Sequence, residues 1–121
     1  LDMHEPISDG TVLCPEGPTN TAALLALKFS VVGRPAAFLG GNYLCPQADS
    51  KVKSNLDLVL FADNDKAGMD GAEKVAGYVK DWWRSVTIAT PPAKYKDVRD
   101  WYRAGAKRDD VRMAVVNARP V

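Results

Sequence analysis

The stretch DLVLFADNDKAGMDGAEKVAGYVKDWW, residues 57–83, decides the fold. Residues 57–62 (DLVLFA) are apolar almost without a break. A strand with one wet face alternates apolar and polar residues; a continuous run is what a strand buried on both faces of a parallel sheet needs. The period then changes. Ala72, Val75, Ala76, Val79 and then Trp82 or Trp83 recur at helical spacing with charged residues between them. That pattern predicts an amphipathic helix of about four turns. Between strand and helix stand Asp63, Asn64 and Asp65. In parallel sheets ligand sites form at the carboxyl ends of strands, so these two aspartates sit where chemistry is expected.

The same reading extends in both directions. Upstream, residues 11–14 (TVLC) come after the turn signal Asp9-Gly10 and read as a first buried strand with Glu16 at its end. Gly17-Pro18 opens a helix, because proline suits the first helical turn, and residues 21–29 are apolar enough to predict a buried one. Val31-Val32-Gly33 reads as a second short strand closed by Arg34-Pro35, and residues 36–39 extend it or form another before Gly40-Gly41. Residues 42–55 fit a short helix or an exposed loop equally. Downstream, residues 86–89 form the next strand, stopped by Pro91-Pro92, with two short helices after it near 97–104 and 109–118. Strands alternating with helices mean an α/β domain with a mostly parallel central sheet flanked by helices. Residues 11–121 form that domain and residues 1–10 an N-terminal extension. The start at Leu1 leads us to expect a longer parent protein with additional domains.

Composition narrows the class. The chain has 121 residues, 46% hydrophobic and 26% charged, enough for one domain with its own core. A net charge of +1 gives no global field toward nucleic acid, so such binding has to come from a local patch or from metal ions. Cys14 and Cys45 lack Cys-x-x-Cys spacing, which argues against zinc and for reduced thiols in a cytoplasmic protein. No apolar run approaches the roughly 20 residues that span a bilayer, and no signal peptide is visible, so no membrane partner is expected. His4 lies outside every motif.

Three strand ends offer carboxylates: Glu16 after the first strand, Asp63 and Asp65 after residues 57–62, and Asp97 and Asp100 in KYKDVRDW past the double proline. Like charges on one sheet edge need something positive among them. Mg²⁺ suits hard oxygen ligands, and a carboxylate–metal site suits transfer at phosphorus. Each piece also has a structural use. Asp65 can cap the helix after it, and Asp97 and Asp100 have capping-box spacing. An EF-hand loop would fit Asp63, Asp65 and Gly68, but Ala67 and Lys74 stand where oxygen ligands belong and the preceding element is a strand. A haloacid-dehalogenase-type Asp-x-Asp is a weaker alternative, since that motif opens its core and takes a hydroxyl residue where this chain has Ala67.

The order of these motifs resembles the Toprim family of primases, topoisomerases and nucleases. CPEGPTNTAALLAL resembles its Glu-Gly motif, VLFADNDKAGMDGAEKVA its Asp-x-Asp motif, and YKDVRDWYRAGA the closing segment of primase-like members from phage and bacterial mobile elements. The similarity covers nearly the whole chain, from about residue 11 to about residue 115. It implies a Rossmann-like Toprim fold and a Mg²⁺-dependent catalytic domain (Mn²⁺ as a substitute) acting on nucleic-acid phosphodiesters, with nucleotides and nucleic acid, DNA ahead of RNA, as partners. The primase-like nucleotidyltransferase of a replication or mobile-element protein comes first, a nuclease second and a non-catalytic binding module third. Glu16 would be the general acid or base, Asp63 and Asp65 the metal ligands, Asp97 a further ligand through water, and Lys66 and Arg34 phosphate contacts. Many relatives carry an acid four places after the motif glutamate; here it is Asn20, which bears on how many metals are held. Residues 94–112 hold seven basic and four acidic residues around Trp101 and Tyr102. They form either a local nucleic-acid surface or, the reading we prefer, a segment with Val98, Trp101 and Tyr102 packed inward and the charges in water; Trp82 and Trp83 read as core and helix edge rather than a base-stacking platform.

Overall fold

The computed structural model describes residues 10–32 and 55–121. Its elements run along the chain as strand β1 (Thr11–Pro15), helix α1 (Pro18–Ala26), strand β2 (Asp57–Phe61), helix α2 (Lys66–Val79), a 3₁₀ turn (Lys80–Trp82), strand β3 (Ser85–Ala89), helices α3 (Val98–Arg103) and α4 (Arg108–Val116), and the two-residue strand β4 (Arg119–Pro120). The sheet runs β1-β2-β3-β4, parallel across β1, β2 and β3 and antiparallel at β4. On the far side of β1, Val31 makes a single parallel bridge to Leu13.

The register positions the site. Thr11, Asp57 and Ser85 pair at the amino ends, and Pro15, Phe61 and Ala89 pair at the carboxyl ends. The three parallel strands therefore stop level, and the loops after them leave from one edge.

Both faces of the sheet are covered, which accounts for the unbroken apolar run in β2. Leu58 and Leu60 point to one side, where they pack with Cys14, Val86 and Ile88 against Ala72, Val75, Ala76 and Val79 of α2 and against Trp83. Val59 and Phe61 point to the other, where Leu13 and Ala89 join Ala23 and Leu24 of α1, Val98 and Trp101 of α3, and Val111 and Val115 of α4. Period 2 in the strand and period 3.6 in α2 thus meet in one layer of core.

Several expectations are revised. The helix expected at 21–29 starts at Pro18 and ends at Ala26, and it is not buried throughout: Leu25 is 52% exposed. Lys28 takes a left-handed φ of 71° and turns the chain, so Phe29 enters the core from beyond the helix. Of the second strand, the described residues show the bridge at Val31 alone. Val98 and Trp101 pack inward as expected, whereas Tyr102 is 39% exposed. Two residues are too short to carry a period, and β4 had no signal. His4, Arg34, Cys45, the strand expected at 36–39 and the segment from 42 to 54 lie outside the described residues, as does all of the N-terminal extension except Gly10. No helix among the described residues is long and apolar enough to cross a membrane.

Candidate metal and phosphate site

Glu16 stands next to the last residue of β1, and Gly17 behind it makes the turn into α1 with φ 85° and ψ 158°. A left-handed φ of that size favours glycine over any residue with a Cβ. Pro18 then starts the helix, and the Thr21 hydroxyl donates to the Gly17 carbonyl at 2.8 Å. Asn20, 5% exposed, fastens this turn from inside: its Nδ2 donates to the Glu16 carbonyl at 2.8 Å and its Oδ1 accepts from the Arg99 backbone N–H at 2.9 Å. An acid here could accept the second bond but could not donate the first when ionised. The departure at Asn20 therefore has a structural use, tying the Glu16 turn to the start of α3.

The Asp-x-Asp turn is built just as locally. Asp65 is the N-cap of α2, its Oδ1 accepting from the Gly68 N–H at 2.6 Å. The capping role read from sequence is real, and it leaves the second oxygen of the carboxylate uncommitted to the helix. The turn also brings α2 against the backbone of Asp63. A Cβ on Gly68 would lie 2.8 Å from the Asp63 carbonyl oxygen and 3.0 Å from its nitrogen, so only glycine fits.

Asn64, the middle residue of the motif, is a staple that sequence reasoning missed. Its Nδ2 reaches the carbonyls of Pro91, Pro92 and Tyr95 at 2.9, 3.0 and 2.7 Å, and its backbone N–H donates to the Lys96 carbonyl at 2.7 Å. Two prolines in a row leave a loop with few N–H donors of its own, and a side-chain amide supplies them from the neighbouring strand end. The staple delivers Asp97 to the acidic edge. Asp97 caps α3, its Oδ1 accepting from the Asp100 N–H at 2.9 Å. The signal available in the sequence was the polar Asn64 opposite Pro91-Pro92, but nothing in the spacing said that they meet.

Glu16, Asp63, Asp65 and Asp97 come together electrostatically. The Asp63 carboxyl is pushed up to about 6, first by burial, then by the negative charges of Glu16, Asp97 and Asp65, with Lys96 opposing them. Repulsion among carboxylates at level strand ends is what a divalent cation relieves, so the donor set suits Mg²⁺ in kind. Among the described residues no group of three acidic side chains already surrounds one point. Lys66 stands at the first position of α2, fully exposed, and its ammonium turns along the helix to Asp70 at 2.8 Å. Arg34 lies outside the described residues.

No protein-family profile matches the sequence, and no curated protein matches it. Solved structures do. One match, the primase domain in a complex of the bacteriophage T7 lagging-strand DNA polymerase with two gp4 subunits bound to an RNA/DNA hybrid and dTTP, has a TM-score of 0.71 at 21% identity. It covers 92% of this chain, which spans 56% of that one. Another, a small Toprim domain protein from Bacillus stearothermophilus, has a TM-score of 0.52 at 16% identity, covering 92% of this chain and 88% of that one. The chain has the Toprim fold.

Proposed function

We propose that this domain is a Mg²⁺-dependent Toprim module acting on nucleic-acid phosphodiesters, with Mn²⁺ as a substitute ion, in the primase-like role of a replication or mobile-element protein. One observation carries the reading: Asp63 stands on the level carboxyl edge of a Toprim sheet among three further acids, with its pKa raised to about 6. Such crowding costs stability in the empty protein, which argues for a use. Asp63 and Asp65 would hold the ion, with Asp97 a further ligand through water. When bound, the ion offsets charge on the oxygens of the transferring phosphorus.

Glu16 holds or moves the proton at the attacking or leaving oxygen. Its backbone is fixed by Asn20, which keeps it beside the ion site whatever the side chain does. Lys66 and Arg34 contribute phosphate contacts. The partners are nucleotides and nucleic acid, DNA ahead of RNA, together with other domains of a longer cytoplasmic protein. The likeness to a domain of the T7 assembly supports primer synthesis over cleavage. A Toprim nuclease using the same residues is the second reading.

The test is calorimetric titration of Mg²⁺ and Mn²⁺ into wild type and Asp63→Asn/Asp65→Asn, with and without a single-stranded oligonucleotide. Binding in wild type and none in the double variant is expected. Primase and nuclease assays then compare wild type with Glu16→Gln, which should lose about 10²–10⁴-fold in turnover, the usual worth of a general acid–base group. A folded wild type that binds neither ion even with nucleic acid present would sink the catalytic reading and leave a scaffold for interaction.

A further inference from the structure

The segment after β3 is gripped from two sides, and the grips stand on either side of Asp97. From the Asp-x-Asp turn, Asn64 reaches the Tyr95 carbonyl with its Nδ2 at 2.7 Å and the Lys96 carbonyl with its backbone N–H at 2.7 Å. That Lys96 carbonyl belongs to the peptide leading into Asp97. From the Glu16 turn, Asn20 accepts the Arg99 N–H on its Oδ1 at 2.9 Å and donates its Nδ2 to the Glu16 carbonyl at 2.8 Å. An unbroken path of hydrogen bonds and peptides therefore runs from the Glu16 carbonyl, through residues 99–96, to Asn64 between Asp63 and Asp65.

Packing alone does not call for an amide at position 20. Where α1 meets α3 the cluster is otherwise apolar, with Ala23 and Leu24 joining Val98 and Trp101. Asn20 is the one buried amide, hydroxyl or charged side chain among the described residues. Burying an amide costs free energy unless both its ends are bonded. Here both are, with opposite polarity: one end donates to the Glu16 turn and the other accepts from the helix that Asp97 caps. Such a pair of bonds admits one placement of α3, where apolar contact would admit several. The Asn64 amide is as fully committed to the loop, donating to the carbonyls of Pro91, Pro92 and Tyr95.

We infer that Asn20 and Asn64 are a coupled pair of positioning residues for the reaction. Through one shared segment, residues 95–99, they set where Asp97 stands and keep Glu16 in step with the Asp-x-Asp turn. The inference rests on the proposed function and deepens it. Both asparagines act through other residues: they hold the carboxylates in place and leave the ion to them. Groups that orient metal ligands from outside the coordination shell are worth about 10- to 100-fold in ion affinity or activity. A segment held at two points pivots when either is released, so the loss of each asparagine is felt at the other's bond.

The test compares wild type with Asn20→Leu, Asn64→Ala and a control, Thr21→Val. The Thr21 hydroxyl fastens the same turn at the Gly17 carbonyl without reaching α3. Amide hydrogen exchange, followed by NMR with no ion present, reads the coupling. Asn64→Ala should speed exchange at the Arg99 N–H although its partner Asn20 is untouched, and Asn20→Leu should do the same at the Asn64 N–H. Both effects should exceed the change at the amides of β2, which follow global stability. Calorimetric titration of Mg²⁺ with a single-stranded oligonucleotide present should then find both variants about 10- to 100-fold weaker than wild type, and Thr21→Val unchanged. Asn20→Ser, which keeps a hydroxyl but not the reach, takes over if Asn20→Leu does not fold. Faster exchange confined to each variant's own bond, or wild-type ion affinity in both variants, would overturn the pair; the metal reading would stand if Asp63→Asn/Asp65→Asn still abolishes binding. A loss in Thr21→Val as large as in Asn20→Leu would overturn it too, because any loosening of the turn would then suffice. A wild type that binds no ion overturns the proposed function and the pair's role with it.

Discussion

Strand β2 begins with one aspartate and is followed, two residues past its end, by another, and the fold treats them in opposite ways. At the amino end, Asp57 receives the Arg84 guanidinium on both oxygens, Nε to Oδ1 at 2.9 Å and Nη2 to Oδ2 at 3.0 Å, and the Ser85 hydroxyl at 2.7 Å. The Arg84 hydrogen bond, set against burial and joined by Ser85, holds its carboxyl below the usual range. Past the carboxyl end, about 20 Å away by strand rise, Asp63 is half-buried among like charges and its carboxyl is pushed up to about 6. One end is arranged for stability and the other stores repulsion. The same residue type before and after one run of strand shows that the difference lies in what the neighbouring segments bring alongside: an arginine and a serine at one edge, a glutamate and a further aspartate at the other.

The comparison can be broken hardest at Gly68. Gly68→Ala drives a methyl into the backbone of Asp63, which cannot yield as a flexible side chain would. We expect a loss of about 3 kcal/mol, the upper range for overpacking, read by urea denaturation, together with loss of ion binding. Asn64→Ala comes next. It strips the carbonyls of Pro91, Pro92 and Tyr95 of a shared donor and should cost about 2 kcal/mol. By releasing Asp97 it should also bring the Asp63 pKa down toward the ordinary value, which carboxyl NMR titration measures; an unchanged pKa would show that Asp97 stays in place without the staple.

Two smaller effects separate the ends by pH. A carboxyl raised in the folded state contributes stability below its unfolded pKa near 3.8 and loses it as pH rises through about 6. Asp63→Asn should therefore raise the melting temperature at pH 7 and leave it unchanged below pH 4. Solvent screening of a partly exposed carboxyl limits that gain to about 1 kcal/mol. Protons compete with cations for the same carboxylate, so Mg²⁺ affinity of wild type should climb as pH passes 6. Asp57 runs the other way: its contribution is present above the unfolded pKa and is lost as pH falls through its lowered folded value. Asp57→Asn should cost about 0.5 kcal/mol at pH 7, less in high salt, since exposed ion pairs are weak and screened. If Asp57→Asn and Asp63→Asn shift the melting temperature in the same direction at pH 7, the contrast between the two ends is wrong.

Much of the fold was legible in the chain. The run of residues 57–62 declared a strand buried on both faces, and the spacing from Ala72 to Val79 declared the helix that covers one of them, because burial imposes a period on the residues it selects. Glu16, Asp63 and Asp65 stood out as the acids just past their strands, and Asp97 as the first acid of the loop after the next strand, since parallel strands send all their carboxyl ends to one edge. The acids identified their own neighbourhood because charge at a strand end is visible in one dimension.

What the sequence could not disclose were the cross-links. Asn20 read as a missing acid, yet it is the bond between the Glu16 turn and α3. Asn64 read as the unspecified letter of Asp-x-Asp, yet it carries the loop that brings Asp97 into place. Asp57 gave no sign of Arg84, twenty-seven positions away. The length of β1 to β3 and their chemistry come from local pattern, because apolar burial and turn formation act over neighbouring residues. Which carboxylate is paired and which is crowded depends on register, with Pro15, Phe61 and Ala89 level at one edge and Thr11, Asp57 and Ser85 at the other. Register is a property of strands that meet across dozens of residues, so the tertiary structure alone decided that Asp57, at the start of β2, would be neutralised and Asp63, past its end, crowded by like charges.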